Sequence, residues 1–196
     1  MTGSSDVSDI TQLVLHERQG RDRSWWDQMR SCFAPDAVVR LSWFRGSGAD
    51  FVAASERMAA RGEASTHRLS PPVVHQEGDR AVVELPAVVE MRTTVDGVEV
   101  DLNSFARLLY RVERRAGRWL VVALDPVYER DTLAPSHPGT PLTVGPDAVA
   151  AFRPPYRFLA YVLTRLGYPI GEDLCGVDRP EAVTELYDAA FAWLRG

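Results

Sequence analysis

Along the first third of the chain the apolar positions recur at helical spacing. Ile10, Leu13, Val14 and Glu17 share one side of a helix that Ser8 or Asp9 can cap. After Gly20 a second helix is predicted. It carries Asp22, Trp26, Met29 and Phe33 at i, i+4, i+7 and i+11, so the Asp22 carboxylate points the same way as the apolar stripe. Ala34, Pro35 and Asp36 end that helix, because the residue before a proline is pushed out of the helical region. Residues 36–44 read as a strand, Gly46 and Gly48 as a turn, and residues 50–61 as a third helix ending near Gly62.

From Ser65 onward the period falls to two. Residues 65–76 form a strand broken at Pro71 and Pro72, and residues 81–95 a long one closed by Asp96-Gly97, a strong hairpin signal. Residues 98–114 and 118–130 follow, joined by a turn at 115–117. Antiparallel strands of this length bend, and a bent meander facing helices predicts an α+β fold, a cone-shaped curved antiparallel sheet closed by N-terminal helices. Parity along residues 98–114 separates two faces. Leu102, Ser104, Ala106, Leu108, Tyr110 and Val112 are mostly apolar, whereas Asp101, Asn103, Phe105, Arg107 and Leu109 are mixed. The mixed face is read as a concave, partly wet interior. This makes Asn103, Phe105 and Arg107 candidate binding residues; a solvated face is the alternative. The apolar face is then left to pack on a second sheet, which predicts a homodimer. Asp125 and Tyr128, near the end of the last strand, fall at the mouth of the cone.

Residues 1–133 thus form the cone, a Pro/Gly-rich linker covers 134–146, and residues 147–196 are a helical extension. In the extension, residues 156–166 and a segment from the Asp178 cap and Pro180 to Leu194 each have one apolar side. Two such helices cannot make a core alone. They are expected to dock on the cone or on a partner subunit and to restrict access to its mouth.

Composition narrows the partners. The 196 residues are 45% hydrophobic and 25% charged, the balance of a globular domain. No window reaches 18 apolar residues, so no membrane partner is expected. The first ten residues lack the basic and apolar regions of a signal peptide, which predicts a cytoplasmic protein. A net charge of −5 argues against nucleic acid. All 22 basic side chains are arginine, so chemistry needing a Schiff-base or phosphate-loop lysine is excluded. Cys32 and Cys175 fit no metal-ligand or redox spacing, and no metal is expected.

Three of the five tryptophans, Trp25, Trp26 and Trp43, fall within residues 24–43, next to Asp22. They are read as core or as the apolar wall of a small-molecule pocket with one carboxylate at its edge. His16, His75 and His137 sit on a helix, near a turn and in the linker, where surface histidines are expected.

The order of elements, with Trp26-Asp27, then Met29-Arg30, then Cys32-Phe33-Ala34-Pro35-Asp36-Ala37, Thr66-His67 and a final Gly117-Arg118-Trp119, resembles the SnoaL-like branch of the nuclear transport factor 2 superfamily. Within it the likeness is to scytalone dehydratase and bile acid 7-alpha-dehydratase, over roughly residues 8–133. The resemblance implies a cone closed by helices, often dimeric or trimeric, and an acid/base reaction without an organic or metal cofactor. It also implies that Asp22 and His67 stand where those enzymes pair a helix carboxylate with a strand histidine. Trp43 takes the place of a pocket tyrosine, and Arg107 that of another polar pocket residue. Two positions depart from the pattern: the tyrosine before the carboxylate is Arg21, and Glu90 lies near the place of a second histidine.

A carboxylate on one imidazole nitrogen fixes the tautomer and raises the basicity of the other. That suits proton abstraction beside a carbonyl, followed by protonation of a leaving hydroxyl. Two readings follow. One is a cofactor-free dehydratase, isomerase or cyclase for a small cyclic or polyketide-like substrate. The other is a non-catalytic small-molecule-binding protein on the same scaffold.

Overall fold

A computed structural model describes residues 3–196, with side chains described from residue 6. The reading of residues 1–10 as lacking a signal peptide therefore lies partly outside the described residues. Helix α1 spans Gly3–Asp22 and α2 Trp26–Ser31. The strands and third helix follow as β1 (Phe33–Arg40), β2 (Arg45–Ser47), α3 (Gly48–Ala60), β3 (Thr66–Leu69) and β4 (Val73–Glu77). Three long strands come next, β5 (Arg80–Val95), β6 (Val98–Arg115) and β7 (Arg118–Pro135). The C-terminal part holds α4 (Pro146–Val149), α5 (Arg157–Arg165), β8 (Cys175–Gly176) and α6 (Pro180–Arg195).

The eight strands of the described residues join one curled, unclosed sheet in the order β2-β1-β7-β6-β5-β3, with β4 also on β5 and β8 on β7. The β5–β6 and β6–β7 hairpins are long and antiparallel; β1 and β8 pair with β7 in parallel. Both hairpin turns need two consecutive left-handed residues. Asp96 and Gly97 (φ 49° and 82°) and Ala116 and Gly117 (φ 49° and 78°) supply them. The α+β cone expected from the pattern is the observed fold.

Several local expectations are corrected. α1 is one continuous helix from Gly3, so Ser8 and Asp9 are interior positions and Asp22 is its last residue, not part of the helix that carries Trp26 and Met29. Gly20 does not break the helix. It lets α2 cross closely, since a Cβ there would lie 2.9 Å from the Met29 backbone nitrogen. The break comes at Ser24, which adopts φ 57°. Pro35 does not delay β1. It lies where the register with β7 jumps between Phe33 and Val38, and there a missing N–H costs no ladder bond.

The parity reading of β6 is inverted. Leu102, Ser104, Ala106, Leu108, Tyr110 and Val112 are all buried, on the inner face of the cone. That face is therefore not available to a second subunit. The mixed face is the outer one. Its apolar residues have separate partners: Leu109 is covered by α6, and Phe105 lies under Arg130, with Cζ 3.9 Å from the ring centroid.

Three apolar clusters pack the fold, two inside the cone and one on the outside of the sheet. α1, α2 and α3, the last contributing Phe51, close the cone over Phe33, Val39, Leu85, Tyr110 and Leu124. Nearer the mouth, α4 and α5 pack over Met91, Leu102, Ala106 and Tyr128. On the outer surface, α6 packs Ala190 and Leu194 against Val82 and Leu109. No helix among the described residues is long and apolar enough to cross a membrane.

Candidate active site

The inner face of α1 begins apolar, with Ile10 and Val14 fully buried. It continues with the charged residues Glu17, Arg18 and Arg21, only 0%, 2% and 7% exposed. This change of chemistry along one helix stripe coincides with a cavity of about 50 Å³. Leu41, Ser42 and Trp43 from the segment after β1 line it, with Met58 of α3, Ser65, and His67 of β3. Val89, Met91, Ala106, Leu108 and Tyr128 of the sheet form one wall, and Leu159 and Leu163 of α5 close it.

Asp22 and His67 meet at the edge of this cavity. His67 Nδ1 lies 2.6 Å from Asp22 Oδ1, and the His67 backbone N–H donates to Oδ2 at 2.8 Å. Both carboxylate oxygens are thus occupied by one residue, and with Asp22 ionised the ring proton sits on Nδ1. The free lone pair is then on Nε2, where Arg18 Nη1 approaches at 3.4 Å. Burial alone would push Asp22 up, but the His67 ring, its backbone N–H and Arg18 hold it below the usual carboxylate value. Burial likewise pushes His67 below the usual imidazole value, and the Arg18 charge adds to this; the Asp22 contact offsets only part. The expected gain in basicity from the carboxylate is therefore overcome by desolvation and by a neighbouring cation.

Arg18 is anchored by Glu17. Its Nε donates to Oε2 at 2.5 Å and its Nη2 to Oε1, and Tyr110 donates its hydroxyl to Oε2 at 3.0 Å. Arg21 is different. Its Nη2 lies 3.3 Å from the Met58 thioether sulfur, and its guanidinium stands over the Trp43 and Phe51 rings, 5.6 and 6.0 Å from their centroids. Among the described residues, no carboxylate oxygen is in ion-pair contact with it. Burial and the Arg18 charge lower its pKa to about 10, so it remains a cation at neutral pH.

The other candidates have separate places. Trp43 and Tyr128 line the cavity. The Tyr128 hydroxyl accepts from the Ser42 N–H at 3.0 Å, and burial pushes its pKa up to about 12. Trp26 packs against the core under α1, and Trp25 is exposed. Glu90 pairs with Arg68 at 2.9 Å and lines a separate open groove with Asn103. Phe105 and Arg107 lie on the outer face, Arg107 between Glu84 and Glu129 at 2.6 and 2.7 Å. Asp125 is tied to Arg40 at 2.5 Å, away from the cavity. Sequence reasoning did not single out Glu17 and Arg18 as polar site residues, and it treated Arg21 only as a departure. The available signal was their position on the continuation of the Ile10–Val14 stripe. Burial pushes the Cys32 thiol up to about 12, so it is not poised as a nucleophile. No cluster of three metal-ligating side chains occurs among the described residues.

A family model for the SnoaL-like domain matches residues 3–125. The chain belongs to this family. It is also 32% identical over 186 residues to pea pathogenicity protein 2 of Fusarium vanettenii, covering 90% of this chain and 80% of that one. An uncharacterized protein of Emericella nidulans is 30% identical over 192 residues, with the same shares covered. Among solved structures, a type 2 hexachlorocyclohexane dehydrochlorinase superposes with a TM-score of 0.60 at 14% identity, over 71% of this chain and 96% of that one. A candidate scytalone dehydratase of Novosphingobium aromaticivorans gives 0.54 at 16% identity, over 72% and 94%. At these identities the structural neighbours establish the fold alone.

Proposed function

We propose that this SnoaL-like protein is an acid/base enzyme of the dehydratase, isomerase or cyclase type, acting on a small cyclic or polyketide-like substrate. One observation carries the reading: a buried Asp22–His67 pair, 2.6 Å apart, at the edge of an apolar cavity. His67 Nε2 takes a proton from the carbon beside a substrate carbonyl. Asp22 stabilises the imidazolium that forms. The same imidazolium returns its proton to a departing hydroxyl in a dehydration, or to another carbon in an isomerisation. Because burial and Arg18 depress its proton affinity, His67 is a weak base, matched to an acidic C–H activated by conjugation. Trp43 and Tyr128 add aromatic surface to the lining that a ring-bearing substrate would meet.

The test is solvent-deuterium exchange into a panel of cyclic β-hydroxyketones, followed by NMR. Wild-type protein accelerates exchange or water loss, and His67→Gln lowers the rate by about 10²–10⁴-fold. If the wild type is no faster than His67→Gln on any compound, the catalytic reading fails. If the compounds nevertheless bind, the alternative of a binding protein gains support; the approach of Arg18 to Nε2 and the closure by Leu159 and Leu163 favour it.

A further inference from the structure

A buried arginine facing an apolar cavity without a counter-ion is expensive unless something else supplies the negative charge. Arg21 is such a residue. It is 7% exposed, lines the cavity, and has five N–H donors of which one nitrogen reaches a thioether sulfur, a weak acceptor. The neighbouring carboxylates act on it only through space: the Asp22 and Glu17 charges favour its cation, but their oxygens are hydrogen-bonded elsewhere. Glu17 is taken up by Arg18 and Tyr110, and both oxygens of Asp22 are taken up by His67. The rest of the lining, Leu41, Met58, Val89, Met91, Leu108 and Leu163, offers no other charge. The aromatic faces of Trp43 and Phe51 hold the guanidinium in place without consuming its donors.

We propose that Arg21 is the receptor for an anionic oxygen on the ligand, so that the cavity selects planar ring compounds bearing a carboxylate or an enolate or phenolate oxygen. This rests on the cavity being the ligand site but not on His67 acting as a base. The guanidinium fork fits two carboxylate oxygens, or one enolate oxygen with a bridging water. In the acid/base reading such an oxygen lies within the same cavity as His67, and the charge that develops when a proton leaves is met by a cation already in place.

The experiment is equilibrium binding, which separates this inference from catalysis. Benzoate and phenolate-forming 4-nitrophenol are titrated into the full chain at pH 7.5 by calorimetry, each against a neutral partner, benzamide and nitrobenzene. Benzoate or nitrophenolate is expected to bind at least tenfold more tightly than its neutral partner; which of the two does so names the source of the oxygen. Arg21→Met, similar in length and apolar, abolishes the preference without a large loss of melting temperature, because the guanidinium makes no direct carboxylate contact on which the fold depends. Arg21→Lys retains the preference at reduced affinity and serves if the methionine variant does not fold. Equal binding of charged and neutral partners, no binding of either anion, or an unchanged preference in Arg21→Met each overturns the proposal. A melting temperature several degrees lower in Arg21→Met would show a structural role and also overturn it.

Discussion

Arg18 and Arg21 sit one turn apart on α1, and the difference between them is set by single neighbours. Arg18 has a bidentate carboxylate that is itself held by a phenol, so its burial is compensated. Removing one member of such a buried pair leaves a bare charge, at a cost of about 3–5 kcal/mol, whereas replacing both with apolar groups is often nearly neutral. Glu17→Gln is therefore expected to lower unfolding free energy by about 3 kcal/mol in urea melts at pH 7. The Glu17→Met/Arg18→Met double variant should recover most of that loss. The pH behaviour of the pair beside them has a definite sign. The folded-state value of His67 is lowered, so the unfolded chain binds its proton more readily, and stability falls as pH drops below about 6.5. Asp22 is lowered too, so its contribution is present above 3.8 and lost as pH falls through its folded value. Both act in the same direction, and the acid limb of any His67-dependent rate lies below 6.5, the reference value. The residues of the Asp22–His67 pair were legible through resemblance. The ionic cluster on α1 was not, because a Glu on an apolar stripe reads as tolerated rather than meaningful until its partner Tyr110, 93 positions away, is seen.

At the scale of elements, β5, β6 and β7 and their turns follow from period-two patterning and the Asp96-Gly97 turn, although β7 runs on to Pro135, past the expected end at 130 and into the expected linker, and the choice of concave face does not follow. Alternation shows that two faces differ; what packs on each decides which is inside. Phe105 and Leu109 belong to the outer face because Arg130 and α6 cover them, contacts with no signature in the strand itself. Arg107 follows them outward into an ion-pair triad with Glu84 and Glu129. A second element-level contact joins α5 to the sheet. Asp131 of β7 accepts the Leu159 N–H at 2.8 Å, in the first turn of the helix that closes the cavity. Burial raises the Asp131 carboxyl from 3.8 to about 6, more than the helix N–H groups and Arg157 lower it. The protonated form is thus favoured by folding: its contribution is full below about 3.8 and lost as pH rises through about 6. Asp131→Asn keeps an acceptor for the Leu159 N–H and never ionises. It should be more stable than the wild type at pH 7.5, by about 1 kcal/mol after allowing for solvent screening. The difference should vanish by pH 4 in thermal melts followed by circular dichroism. A gap that persists or grows at pH 4 would show that the hydrogen bond, not the charge, governs the contact.

Over the whole molecule, the C-terminal part was legible as two amphipathic helices that needed an apolar surface, but not as two helices with different surfaces. α5 supplies Leu159 and Leu163 to the cavity, and Tyr168 just beyond it meets Trp43 with ring centroids 5.5 Å apart. α6 goes to the opposite side of the sheet. Ala190 and Leu194 pack on Val82 and Leu109, Tyr187 donates to Glu84, and the Trp193 carbonyl accepts from Arg80 at 2.7 Å. The two sites face opposite sides of one sheet, so equal damage to each should have unequal consequences. Leu163 is 1% exposed and Leu194 8%, and truncating a buried leucine to alanine costs about 2–5 kcal/mol through lost transfer energy and the cavity left behind. Both Leu163→Ala and Leu194→Ala are expected to shift urea midpoints downward by comparable amounts. Only Leu163→Ala adds volume to the cavity of about 50 Å³, so only it should improve the fit of a larger ring. Titration with benzoate and 2-naphthoate reads this directly. The ratio of naphthoate to benzoate affinity should rise at least severalfold in Leu163→Ala and stay at the wild-type value in Leu194→Ala. If both variants shift the ratio, the outer helix is coupled to the cavity through the sheet; if neither does, α5 does not limit what the cavity admits.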